Sequence, residues 1–257
     1  MKVFENHIYG IKMTFETLAK GKLWLFFVPG LAVGLMFFSI LSVTAGVEET
    51  SKGLFGDIWF VGDWIETGIG WIFDFVEMVL FWIIQFVVLT LLSPFNSLLS
   101  EKFDAEISGR EYKTSFIQIL NDLLRAIFVA FIAIVLEVTF LLGWLLLSFI
   151  LPGSDYLDPI MYFLIGAFFF GFAFYDYSLE RHGVSTLGSI GFSFSKMSYM
   201  LVTGSIFQLI FMIPYVGLFI APVLATFIAT GAYVKLTYAP PKPEPVAEPA
   251  PPTETID

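Results

Sequence analysis

Between Leu23 and Val47 the chain carries 25 consecutive residues without one charged side chain. A hydrocarbon core roughly 30 Å thick is crossed by about 20 apolar helical residues, so this run can span a bilayer with some tilt. Further charge-free runs occupy Met78–Ser100, Val138–Ser154, Pro159–Tyr175 and Met197–Val234. On a water-exposed protein each would be an insoluble surface. In lipid the backbone must satisfy its own hydrogen bonds, which helices do within a single segment. The fold class that follows is all-α: a polytopic helical membrane protein.

Composition narrows the chemistry. Only 14% of the residues are charged, against roughly 25% in soluble domains, while 57% are hydrophobic. The 257 residues suit one membrane domain of a few helices. With no cysteine, disulfides and thiolate chemistry are excluded, and with His7 and His182 as the only histidines a multi-histidine metal site is not expected. The net charge of −10 is local. Residues 46–77 set Glu48, Glu49, Asp57, Asp63, Glu66, Asp74 and Glu77 against Lys52, and the end of the chain sets Glu244, Glu248, Glu254 and Asp257 against Lys242. The acidity therefore describes one loop and one tail. A cleaved signal peptide competes for the first run, but 22 residues precede it and it exceeds a signal's usual 7–15 apolar residues.

Lysine and arginine orient the spans, because cytoplasmic flanks retain positive charge. Even alternation places 12 of the 13 basic residues on one side and leaves only Lys52 opposite. Both termini are then cytoplasmic, with residues 46–71 outside. The organisation reads as an amphipathic helix over 1–22, a membrane domain over 23–236 and a proline-rich, extended cytoplasmic tail over 237–257. In the first segment Phe4, Ile8, Ile11, Phe15 and Leu18 recur at helical spacing, opposite Glu5, Asn6, Lys12 and Glu16. That pattern fits a helix in the membrane interface; a helix packed on the cytoplasmic face is the alternative.

Ser93-Pro94 signals a helix start, Pro94–Ile107 is amphipathic, and Gly109 offers a stop. Ser115 with Gln118 forms a second start, after which a helix can run from Phe116 to about Leu151 before Pro152-Gly153 ends it. The segment Ile160–Tyr177 returns. The last run is split at Pro214-Tyr215-Val216-Gly217, with Pro222 close behind, into about 16 and 17 apolar residues. These lengths fit a half-penetrating helical hairpin; two short ordinary spans are the alternative.

Glu137, among Ile134-Val135-Leu136 and Val138-Thr139-Phe140, is the costliest residue, since a carboxylate near mid-membrane must be paired, protonated or wet. It either lines a permeation path and takes up a proton, or is a neutral group bonded to a neighbouring helix. Asp176 and Glu180 share a helix face, followed by Arg181 and His182. Two roles are open to Arg181: holding an anion, or pairing with Asp176. Gly30 and Gly34 form a GxxxG packing motif. The sequence contains no phosphate-binding loop, H-E-x-x-H or G-x-S-x-G, so neither an enzyme nor a cofactor is expected.

Pro94-Phe95-Asn96-Ser97-Leu98-Leu99-Ser100-Glu101-Lys102, continuing to Ser108-Gly109, resembles the P-F-N-x-L-L-A-E-x motif of CysZ-type sulfate permeases, a family that shares a domain with the etoposide-induced membrane proteins of eukaryotes. Phe174-Tyr175-Asp176-Tyr177, then His182-Gly183, is similar to its second signature, and Ile213 to Pro222 to its I-P-x-x-N-L-x-x-x-P hairpin, with Gly217 in place of the asparagine. The motifs occur in family order, and the resemblance covers roughly residues 5–236. It implies an inner-membrane, homo-oligomeric, all-helical protein that admits sulfate for cysteine synthesis, with no nucleic-acid partner. The family's sulfate-binding segment, Gly-Leu/Ile-Arg, corresponds to Gly21-Lys22-Leu23, so Leu23 stands at the arginine position with Lys20 and Lys22 beside it. Path candidates are therefore Lys20, Gly21, Lys22, Glu137, Asp176, Arg181 and His182; Pro94, Phe95, Asn96, Glu101, Pro214 and Pro222 are structural motif residues. A non-conducting scaffold or lipid-handling protein of the same family is the alternative function.

Overall fold

The computed structural model describes residues 2–36, 39, 90–110, 112, 116–213 and 216–238. Eight helices occur among them: α1 (Lys2–Ala19), α2 (Trp24–Met36), α3 (residues 90–108), α4 (Phe116–Ser148), α5 (Asp158–Arg181), α6 (Thr186–Ser195), α7 (Met197–Phe211) and α8 (Gly217–Thr237). No strand occurs among the described residues. The acidic 46–71 loop, the Ser115 start, Pro214 and the tail beyond Tyr238 lie outside them.

Among the described residues three helices are long and apolar enough to cross a bilayer: the Leu123–Ser148 part of α4, α5 and α8. The chain is a polytopic helical membrane protein. α1 and α2 meet at 106° and could count together as one broken span. The corner between them has a local cause. Gly21 at φ 75° and Leu23 at φ 64° reverse the backbone, and the Trp24 indole donates to the Leu18 carbonyl at 2.9 Å. α7, at 15 residues, is about 22 Å long, short of a full crossing, whereas the 21 residues of α8 reach about 31 Å. The second half of the split run is thus longer than its apolar stretch implied, because the helix continues past Lys235 to Thr237.

Small residues set the packing. α5 and α7 cross where Gly171 faces the Met200 carbonyl and Gly204 faces the Ala167 carbonyl; a Cβ there would sit 2.0 and 1.7 Å from those oxygens. α1 crosses α8 at Gly10 and Gly231. Gly30 of the GxxxG motif lies against the Phe219 backbone at the start of α8, and Gly217 fits beneath the last turn of α7. Around these crossings Phe168, Phe169, Phe172, Phe174, Phe207 and Phe211 fill the core. α8 is the most buried span and α4 the most exposed, with Leu124, Phe128, Phe131, Val135, Leu142 and Leu146 turned outward.

One local reading is corrected. Helical backbone already runs at residues 90–93, so Ser93-Pro94 does not begin α3; the proline's missing N–H removes only the bond to the carbonyl four residues back. On α1, Phe4, Ile8 and Phe15 are exposed, but Leu18 turns inward. The buried face is polar or small: Asn6, His7, Gly10, Thr14 and Thr17. α1 therefore presents its greasy stripe outward and docks through a face that apolar spacing does not reveal. Gly109, at φ 72°, ends α3 as expected, and Gly153, at φ 78°, turns the chain between α4 and α5.

Candidate functional site

Polar side chains gather at one end of the bundle, where α3, the start of α4, the end of α5, α6 and the end of α8 meet. Two ionic centres form there. In the first, the Arg125 guanidinium of α4 donates to Asp176 Oδ1 at 3.0 Å, Ser189 Oγ at 3.0 Å and the Val184 carbonyl at 2.7 Å. Its Nε stands 3.4 Å from Glu180 Oε1. The shared face of Asp176 and Glu180 is thus real, but its cation is Arg125. The expected Arg181–Asp176 pair does not form, because Arg181, five positions after Asp176, leaves the helix toward α3 instead.

The second centre is deeper. Asp104 of α3 is fully buried and Arg181 nearly so, with side chains 0% and 7% exposed. Arg181 donates to Ser100 Oγ and to the Tyr177 carbonyl, and its Nε lies 3.9 Å from Asp104 Oδ2, an electrostatic contact rather than a hydrogen bond. Tyr112 donates to Asp104 Oδ2 at 2.9 Å; burial, and then the Asp104 charge, push its phenol above the ordinary range. The Ser178 carbonyl can only accept, so His182 donates from Nδ1 at 2.7 Å and accepts from the Tyr238 hydroxyl at Nε2. Ser100, Ser178 and Thr230 complete a buried hydroxyl cluster. Glu101 is buried one turn before Asp104.

A third polar group ties α1 into the bundle. His7, 2% exposed, donates to the Val3 carbonyl at 2.7 Å and accepts from Thr203 at 2.9 Å, while Asn6 donates to Tyr199 at 2.9 Å. Burial keeps the His7 imidazole below its ordinary pKa range.

The sequence candidates separate into three places. Lys22 faces a surface groove of about 460 Å³ shared with Leu23, Lys102, Ala105 and Glu106, where its ammonium meets both Glu106 oxygens at 2.7 Å. Lys20 and Gly21 are exposed beside it. Arg181 and His182 belong to the Asp104 centre. Glu137 and Asp176 line one cleft between α3, α4 and α5, together with Thr90, Ser93 and Tyr177. The motif residues pack as a unit: Asn96 and Ser93 of α3 stand against the Tyr177 hydroxyl, so the first and second signatures touch. Phe95 points outward, Pro94 is half-buried, and Pro222 is buried inside α8. Sequence reasoning missed Asp104, Tyr112 and Arg125 as site residues. Arg125 carried the one usable signal, a cation at the edge of a span.

Each guanidinium is engaged by carboxylates, so the two centres act as clamps between helices. The Lys22 groove, by contrast, opens to solvent. Residues 11–222 match the family described as Sulfate transporter CysZ/Etoposide-induced protein 2.4. No curated protein matches the chain.

Proposed function

We propose that this chain, which belongs to the Sulfate transporter CysZ/Etoposide-induced protein 2.4 family, is a membrane permease for sulfate or a related small anion. The family match over residues 11–222 carries this reading. The Gly21–Leu23 corner supports it, because it places Lys20 and Lys22 at the turn into α2, where Lys102 of α3 shares the groove with Lys22. Lysine supplies a point charge where arginine would supply a planar fork, so recognition here rests on charge rather than bidentate geometry. In this reading both termini are cytoplasmic, α7 enters only part of the bilayer and copies of the chain assemble in an inner membrane. Glu106 competes with the anion for Lys22.

Vesicles holding purified protein should accumulate labelled sulfate above empty vesicles. Lys20→Ala with Lys22→Ala should raise KM about tenfold, the loss of a charge-assisted contact of ~1.5 kcal/mol. Glu106→Gln should act oppositely, lowering KM several-fold while leaving stability within ~1 kcal/mol, as expected for a half-exposed ion pair. Flux no greater than in empty vesicles would reject the permease.

The second reading, a non-conducting scaffold or lipid-handling member of the family, is favoured by the tight Lys22–Glu106 pair, which leaves less free charge for an anion. Removing residues 239–257 separates the two: a permease keeps its flux, and a tail-dependent scaffold loses its partner.

A further inference from the structure

Glu137 lies near the middle of the Leu123–Ser148 span. Among the described residues it makes no ion pair and no hydrogen bond. Gly166 of α5 makes room for it: with no side chain there, Glu137 Oε1 and Gln208 Nε2 of α7 approach its Cβ position to 3.8 and 2.6 Å. From Glu137 a cleft of about 60 Å³ runs along Ala126, Ala130 and Ala133 to Asp176. A water needs roughly 10–15 Å³ of such volume, so the cleft has room for about four to six. Its walls are apolar, but Thr90 Oγ1, buried and without a hydrogen bond among the described residues, also faces it.

We propose that Glu137 takes up and releases a proton through this cleft, exchanging it with water at the Arg125–Asp176 end. The step is a simple protonation: the carboxylate gains a proton carried along water in the cleft, and gives it back by the same route. The groups facing Glu137 leave it as the exchanging site. α3 offers the Thr90 and Ser93 hydroxyls, α7 offers the Gln208 amide, and α5 offers Tyr177 and Asp176, the latter held by Arg125 of α4. A carboxylate at this depth is costly unless neutralised. Protonation also removes a charge that would repel an anion nearby. Coupling of this proton to anion flux rests on the permease reading; the protonation itself does not.

Infrared difference spectra of the purified protein across a pH titration test the site directly. A protonated-carboxyl carbonyl band should appear as pH falls, vanish in Glu137→Gln, whose side chain is nearly isosteric, and return shifted in Glu137→Asp. A band unchanged in Glu137→Gln, or none, would overturn the proposal even if sulfate flux is found. In vesicles, wild-type sulfate uptake should rise several-fold with a proton gradient in the same direction, and Glu137→Gln should lose that response. A gradient response that persists in Glu137→Gln would likewise overturn Glu137 as the coupling group. Absence of sulfate flux would reject the permease and leave the spectra to decide the proton site.

Discussion

Gly204→Ala should lower the melting temperature of the purified protein by about 10 °C, more than any substitution on the exposed face of α4. The Cβ would sit 1.7 Å from the Ala167 carbonyl oxygen, and both atoms belong to helix backbones that cannot rotate away. α5 and α7 would have to separate by more than an ångström. Overpacking against a side chain costs roughly 1–3 kcal/mol, and a backbone clash stands at or above the top of that range. For a chain of this size about 3 kcal/mol corresponds to a shift of roughly 6–12 °C. Gly171→Ala, at 2.0 Å from the Met200 carbonyl, should behave the same way. Gly191 supplies the control, since nothing lies within 4 Å of its Cβ position; Gly191→Ala should leave stability unchanged or slightly improved. Equal melting temperatures for Gly204→Ala and Gly191→Ala would contradict a backbone-to-backbone contact at the α5–α7 crossing.

Arg125→Leu is expected to cost about 3–5 kcal/mol, the usual penalty for removing one partner of a buried ion pair. The loss is one-sided. Asp176, 4% exposed at its side chain, and Glu180 would face each other without a cation, and Ser189 and the Val184 carbonyl would lose a donor. Arg125→Lys should recover little, because one ammonium cannot reach four acceptors on α5, α6 and the turn between them. Pairing Arg125→Leu with Asp176→Leu should cost less than the sum of the two, since the orphaned charge is removed with its partner. Denaturation of the single and double variants in detergent measures this. Strict additivity would show that the pair does not couple α4 to α5.

What the sequence conveyed was the part governed by local rules. Among the described residues apolar run lengths located α4, α5 and α8, Gly109 and Pro152-Gly153 marked helix ends, and the break before Gly217 separated α7 from α8; the Met78–Ser100 run lies largely outside them. The same rules misjudged Ser93-Pro94, where a proline is carried within a helix that neighbouring packing holds. The polar interior was less legible. Arg125 and Asp176 are 51 positions apart, and Arg181 had a nearer acid on its own helix, so the choice of partner depends on how α4 and α3 lie against α5. The buried face of α1 was hidden for a similar reason. His7 and Asn6 look like a solvent face by polarity, yet Thr203 and Tyr199 stand opposite to receive them. α6 announces itself only through Ser185, which accepts from the Gly188 N–H at 3.2 Å. Lys20, Lys22 and Glu137 were legible as unusual residues, whereas the Glu106 lock and the Gly166 notch beside them were not.

In the proposed threading α4 and α5 carry the chain across the bilayer and back. The absence of cysteine makes that directly measurable, because each introduced thiol is unique. Tyr156→Cys, at an 86% exposed position between the two helices, should react with a membrane-impermeant maleimide from one face of sealed vesicles. Lys102→Cys and Lys196→Cys, both at exposed positions, should react only from the other face. Reaction of Tyr156→Cys and Lys102→Cys from the same face would contradict the threading, and with it the mid-membrane place of Glu137.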